Sequence, residues 1–395
     1  MVQDGLKYLV KWLFICLIIA VPIGAASSFF LHTLNGVTDF REGHLWIIWF
    51  LPVCGFFIAF SYDKYGKEFS SGNNLILDTI HKPDLGKIPL LKAFMIYITT
   101  IATHLFGGSA GREGTALQMA GSIADQFTKI LKVEGEDRRI LIIASVAAGF
   151  GSVFGTPAAG TLFAVEYLRR GKISYRYIIP AALAGYFADF TGHLLWSPHT
   201  SYAITSEIFY TSENITFVIL TGIAFGLVAR FFTNSIHFIS SVSKNLISYA
   251  PIRAFTGGLI ILSLFALLQD PRFLGLGVPV IKGAFTHPVP GTDFMWKFIF
   301  TVITIGFGFK GGEVTPLFFI GATLGNALHP FTSLPLDLLA GLGFVSVFSA
   351  ATNTPVASTL MAMELFGWEC GLFTAITCII SYLVSGRGSI YVSQL

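Results

Sequence analysis

The sequence predicts an all-α polytopic membrane protein made of two related halves, with many tilted and broken helices. Three observations lead there. Hydrophobic residues make up 53% of the 395 positions and charged residues only 12%, against about a quarter charged in soluble domains. Apolar stretches run almost from end to end, and several are too short to cross about 30 Å of hydrocarbon as straight helices. A segment of the first half recurs in the second, as transporters with a site between two repeats require.

The apolar segments fall at about 8–34, 45–61, 90–106, 114–128, 139–168, 177–196, 215–240, 255–268, 294–308, 315–329, 337–366 and 371–384. The first resembles a signal peptide, with Lys7 and Lys11 before an apolar run and small residues at Ala25–Ser28. The run continues to Leu34, a spanning length, so a retained helix is the better reading. Short pieces bounded by Gly and Pro read as half-helices, whose broken backbone survives at membrane depth only inside protein or around a watery cavity. Basic residues gather at Lys7 and Lys11 and at Arg169, Arg170, Lys172 and Arg176, and the positive-inside tendency places both groups in the cytoplasm. Cys16, Cys54, Cys370 and Cys378 lie in apolar segments without CxxC spacing and read as buried free thiols. The formal charge of +3 shows no basic face for nucleic acid.

Thr156–Glu166 reads TPAAGTLFAVE and Thr354–Glu364 reads TPVASTLMAME, with seven of eleven positions identical at an offset of 198. Upstream, Gly111-Arg-Glu-Gly-Thr115 faces Gly311-Gly-Glu-Val-Thr315 at an offset of 200, and Gly121 faces Gly321. The expected organisation is one transmembrane domain over 1–395, with repeats of about 1–205 and 206–395 and no cytoplasmic regulatory domain. The repeat pattern alone leaves open whether the halves are parallel or inverted.

Ionisable groups deep in apolar sequence mark a pathway by default. Glu113 lies in GGSAGREGT, where glycines precede a helix starting near Thr115. A helix opened inside the membrane presents free N–H groups and the positive end of its dipole, which attract anions. A carboxylate there occupies the anion site when ionised and leaves it when protonated; a capping Glu neutralised by Arg112 is the plainer alternative. Glu313 holds the matching place in FGFKGGEVTPLFFIGATLG, with Val314 and Thr315 beside it and Pro316 in the first turn. Two such openings imply two N-termini, with Gly114, Thr115, Val314 and Thr315, aimed at one centre. Asn73 and Asn74, after Ser70-Ser-Gly, offer uncharged N–H donors, although an ordinary turn and cap explains them nearly as well. Tyr391, after Gly388, is a further possible donor or an interfacial anchor. Glu166 and Glu364 close the paired helices, and their symmetry favours a structural or edge role. HExxH and metal-ligand motifs are missing, which argues against a membrane-embedded enzyme. No cofactor or metal is expected.

Together these residues resemble the CLC family of chloride channels and proton-coupled anion antiporters, over nearly the whole chain. The motifs are Gly72-Asn73-Asn74, Gly111-Arg112-Glu113-Gly114-Thr115, Gly311-Gly312-Glu313-Val314-Thr315-Pro316 and Tyr391. The resemblance implies an inverted-repeat, all-helical homodimer in a lipid bilayer with one anion pathway per subunit. Three departures stand out. Chloride members carry Ser-Gly-Ile-Pro at Asn73-Asn74-Leu75-Ile76, have an apolar residue at Glu313, and in many proton-coupled cases a glutamate at Tyr167. This combination is similar to the family's fluoride-exporting branch. It implies a fluoride/proton antiporter of a multi-pass cell membrane, with a bacterial plasma membrane as the expected location. Glu113 would gate and carry protons and Glu313 would assist from the inner side. The alternatives are a chloride/proton antiporter or an uncoupled anion channel of the same fold.

Overall fold

The computed structural model describes residues 2–169 and 173–394. Arg170 and Lys172 of the second basic group lie outside the described residues. The first half contains α1 (Val2–Gly43), α2 (Leu51–Tyr65), α3 (Asn73–His81), α4 (Leu90–Leu105), α5 (Glu113–Gln126), α6 (Thr128–Leu131), α7 (Gly135–Phe154), α8 (Pro157–Glu166) and α9 (Ile178–Leu194). The second contains α10 (Ser212–Leu246), α11 (Ala250–Leu268), α12 (Val278–Ala284), α13 (Asp293–Gly306), α14 (Val314–Leu328), α15 (Leu336–Thr352), α16 (Pro355–Phe366) and α17 (Gly371–Ser385). The boundary expected near residue 205 falls in the connection between α9 and α10. Among the described residues no strand forms; an isolated β-bridge joins Gly111 and Gly312.

Among the described residues five helical spans are long and apolar enough to cross a bilayer: Gly5–Gly43, Leu45–Tyr65, Ser212–Leu246, Ala250–Leu268 and Trp368–Ser385. The first is one continuous helix whose buried face (Trp12, Cys16, Ile19, Ile23) packs with Ile140, Ala144 and Ala188 of α7 and α9. At about 1.5 Å per residue its 42 residues reach some 63 Å, twice the hydrocarbon thickness. The four cysteines are buried free thiols.

Two expected segments are each two helices. The run 139–168 divides at Gly155, and 337–366 divides at Asn353, both in the left-handed region at φ 70° and 58°. One left-handed residue reverses the chain without lowering hydropathy, so the break is silent in an apolar profile. Pro157 and Pro355 then open the next helices, where a missing N–H costs nothing. α12 is too short to show as an apolar segment. It starts after Gly277 (φ 73°), as α3 starts after Gly72 (φ 64°), a pairing at an offset of 205.

The contacts between repeats settle their relation. Glu166, at the end of α8, accepts hydrogen bonds from Val356 N and Ala357 N at the start of α16, at 3.1 and 2.8 Å. Glu364, at the end of α16, accepts from Ala158 N and Ala159 N of α8, at 3.0 and 2.7 Å. Each helix caps the other's N-terminus, satisfying donors that every helix leaves free. Only helices lying antiparallel, related by a two-fold axis across them, can do this. The halves are therefore inverted, and the symmetric glutamates are structural clasps.

The core is apolar and aromatic. Phe318 of α14 stacks on Phe344 of α15 at 3.9 Å between ring centres, and Phe348 and Phe163 extend the cluster to Phe150. α14 and α15 approach so closely that a Cβ on Gly343 would lie 2.1 Å from the Gly321 carbonyl oxygen. Only glycine permits that crossing, and it brings α14 alongside the centre of the molecule.

Candidate anion site

α5 and α14 begin against each other at the middle of the fold. The loops before them are tied by two reciprocal bonds, Gly111 N to Gly312 O at 2.5 Å and Gly312 N to Gly111 O at 2.8 Å. Ser109 crosses to the other half as well, its N–H donating to Thr304 Oγ1 at 3.1 Å. Two positive helix ends are thus held at one centre.

The Glu113 side chain lies on the opposing helix, not in solvent; it is 1% exposed. Thr315 donates to it from its N–H at 3.1 Å and from its hydroxyl at 2.6 Å to Oε1 and 2.8 Å to Oε2. Arg112 N donates at 3.1 Å, and Arg112 Nε lies 3.6 Å from Oε1. The carboxylate therefore occupies the N-terminal end of the opposing helix α14. On its far side a small pocket is bounded by Arg112, Glu113, Thr200, Tyr202, Thr315 and Phe318.

On the near side a cavity of about 470 Å³ reaches inward, lined among others by Asn73, Asn74, Glu313 and Tyr391. Its wall carries Lys67, Lys244, Arg253 and Lys310 against Asp63 and Glu313, four basic side chains to two acidic. Such an excess concentrates anions at the mouth. Glu113 lines the small pocket and Glu313 the cavity, so the two carboxylates face different sides of one barrier.

The expected site residues divide. A Cβ on Gly114 would lie 2.9 Å from Asn73 Nδ2, which places that amide at the α5 opening; Asn73 Oδ1 is buried without a hydrogen-bond partner. Tyr391 stands edge-on to Tyr167 at 4.9 Å, and its buried hydroxyl also has no partner. Gly114 and Val314 are buried at the two openings. Two of the expected side chains also make contacts elsewhere in the protein. Thr115 turns its hydroxyl to Thr100 Oγ1 at 2.7 Å, so only its backbone remains for the centre. Asn74 accepts from Ser393 N at 3.0 Å, which tethers the C-terminal segment. In both cases a protein partner takes the side-chain oxygen.

Sequence reasoning missed Lys92 and Lys310. Lys92 is fully buried in α4, and its Nζ donates to Gly72 O at 2.7 Å, fixing the turn that presents Asn73. Its counterpart Lys297, at the α3/α12 offset of 205, donates to Gly275 O at 2.6 Å. A lone lysine in an apolar segment was the available signal, the same one that marked Glu113. Tyr167 donates to Asn73 O at 3.4 Å and so also braces the inner side.

Opposed helix openings inside an inverted, membrane-spanning repeat, with a cationic approach, define an anion-transport protein. The chain belongs to the voltage gated chloride channel family, whose model matches residues 54–386. That family is one of channels and transporters. A "Chloride/fluoride channel protein" of Pseudomonas syringae pv. tomato is 46% identical over 99% of this chain and 88% of its own length. A voltage-gated ClC-type chloride channel of Salmonella typhimurium is 27% identical over 73% of this chain and 71% of its own. Among solved structures, a CLC-type fluoride/proton antiporter superposes with a TM-score of 0.94 at 36% identity, covering 98% of both chains. A slow cyanobacterial Cl⁻/H⁺ antiporter shares the fold, with a TM-score of 0.83 at 18% identity over 96% of both.

Proposed function

We propose that this protein exports fluoride in exchange for protons, with Glu113 as the gate and proton carrier. The observation that carries the reading is the seat of Glu113 on Thr315 N and Oγ1, donors that an anion would otherwise take. Carboxylate and anion then compete for one place. A protonated Glu113 holds those donors less strongly and swings toward the small pocket, and fluoride enters from the inner cavity. On losing its proton Glu113 returns and displaces the ion. Glu313, on the cavity side, would pass the proton or orient the anion where the family's inner glutamate is replaced by Tyr167. Positive-inside bias turns the basic cavity to the cytoplasm.

Fluoride keeps its hydration tightly, and stripping it demands close N–H and O–H donors. The Asn73 amide, Thr315, the Tyr391 hydroxyl and the backbone of Gly114, Thr115 and Val314 are the groups proposed to supply them. Likeness to the fluoride/proton antiporter supports the choice of ion and of coupling. The family resemblance supports a homodimer as the proposed assembly. A bacterial plasma membrane is the proposed location.

The test is efflux from liposomes holding the purified protein, with fluoride, chloride and pH electrodes read together. Fluoride should leave much faster than chloride and drive protons uphill. Glu113→Gln should abolish the proton movement; coupled protons in that variant would refute the gate. Likeness to the chloride/fluoride channel protein of Pseudomonas syringae pv. tomato favours a second reading, an uncoupled channel. It would show fluoride flux with no proton movement in the unaltered protein.

A further inference from the structure

We infer that the end of α9 and the loop after it form a binding site for one divalent d-block cation of the zinc class. Asp189, His193 and His199 come together there, with one ligand atom from each lying within 4.8 Å of the others. Asp189 and His193 sit four residues apart on one helix face, the spacing that turns two ligands to a common ion. Their Oδ2 and Nε2 are 3.6 Å apart. Tetrahedral zinc with bonds of about 2.0–2.1 Å holds its ligands roughly 3.3 Å apart, so this edge is nearly formed.

Two further observations point to a cation. Asp189 Oδ1 is buried and has no hydrogen-bond partner, although a carboxylate oxygen in that position ordinarily finds one. His199 Nε2 lies 2.9 Å from Ser152 O. That carbonyl can only accept, so Nε2 carries the proton and Nδ1 keeps its lone pair. A second-shell carbonyl of this kind sets the tautomer of metal-ligating histidines. The turn between the two histidines is itself braced, since Ser28 of α1 donates to Leu195 O at 3.3 Å. Two imidazoles and one carboxylate suit zinc better than calcium or magnesium, which prefer oxygen. The fourth position stays open to water. Sequence showed no metal motif because His199 lies beyond the helix and joins the pair only through the fold.

The location gives the site a consequence. α9 begins beside Arg176, so its 17 residues, about 25 Å, carry His193 to the face opposite the basic group. His199 is followed directly by Thr200, and Thr200 and Tyr202 wall the small pocket beside Glu113. A bound cation ties that wall to α9 and restrains the space into which Glu113 would move. Zinc added on this face slows anion flux; this second statement rests on the proposed gating role of Glu113, whereas binding does not.

The experiment uses the purified, tag-free full chain. Equilibrium dialysis with zinc should give one saturable site per chain, weakened at least tenfold in both His193→Ala and His199→Ala. Cobalt in its place should show the intense visible bands of a four-coordinate ion, absent in both variants. In liposomes, external zinc should slow flux through the unaltered protein and not through His193→Ala, whose side chain lies outside the pathway. No saturable zinc, or binding unchanged in both variants, overturns the site. Binding without any effect on flux overturns the link to the pocket and leaves the site standing.

Discussion

Replacing Glu166 by glutamine tests the cross-cap that makes the halves inverted. The carboxylate uses both oxygens, one on Val356 N and one on Ala357 N. Glutamine keeps a single oxygen and turns an NH₂ toward the other N–H, donor against donor. A hydrogen bond to a charged group is worth about 1.5–3 kcal/mol and one between neutral groups about 1. Losing one charged bond and weakening the other removes roughly 2–5 kcal/mol, about a 30- to 4,000-fold drop in the folded-to-unfolded ratio. Glu364→Gln should cost less, because Glu364 is only half-buried and water can reach the freed N–H, whereas Glu166 is 3% exposed. The assay is unfolding in mixed micelles with rising sodium dodecyl sulfate, followed by circular dichroism. Hydrogen exchange at Val356 and Ala357 gives the local readout. Glu166→Gln within about 0.5 kcal/mol of the unaltered protein would refute the reasoning, since that result requires a neutral, protonated Glu166 and not a two-pronged carboxylate cap.

Other outcomes follow from the site. Lys92→Met leaves the Gly72 carbonyl unpaired, at a cost of about 1–3 kcal/mol, and loosens the turn before Asn73. The half-saturating anion concentration in liposome flux should rise about tenfold, and an unchanged value would remove Lys92 from the site. Asn73→Ala should cut anion flux at least tenfold with little change in thermal stability. Asn74→Ala should do the reverse, because its oxygen holds Ser393 N and not the centre. Measuring flux and melting on both variants separates the two roles, and equal effects on flux would contradict the division.

Much of the site was legible because charge in an apolar segment is costly and therefore conspicuous. Glu113 and Glu313 stood out in this way beside glycine-rich breaks, and the structure puts them at the openings of α5 and α14. The same signal was present at Lys92, whose partner is a backbone carbonyl twenty residues away and hence invisible in a motif. Thr115 and Thr315 show the opposite difficulty. They occupy matching positions of the repeat, yet one hydroxyl turns to α4 and the other to Glu113. The repeat specifies similar backbones, while the neighbours that claim each side chain differ between halves.

The sequence by itself determined the membrane class, the helical content, the duplication and the two central glutamates. Each follows from local composition, periodicity or spacing along the chain. Only the tertiary structure decided that the halves are inverted, because the crossed glutamate caps join residues 190 and 206 positions apart. It also decided where the long apolar runs reverse, since a single left-handed residue leaves hydropathy unchanged. And it brought His199 beside Asp189 and His193, because a ligand set assembled across a helix end depends on where the chain folds back and not on how its residues are spaced.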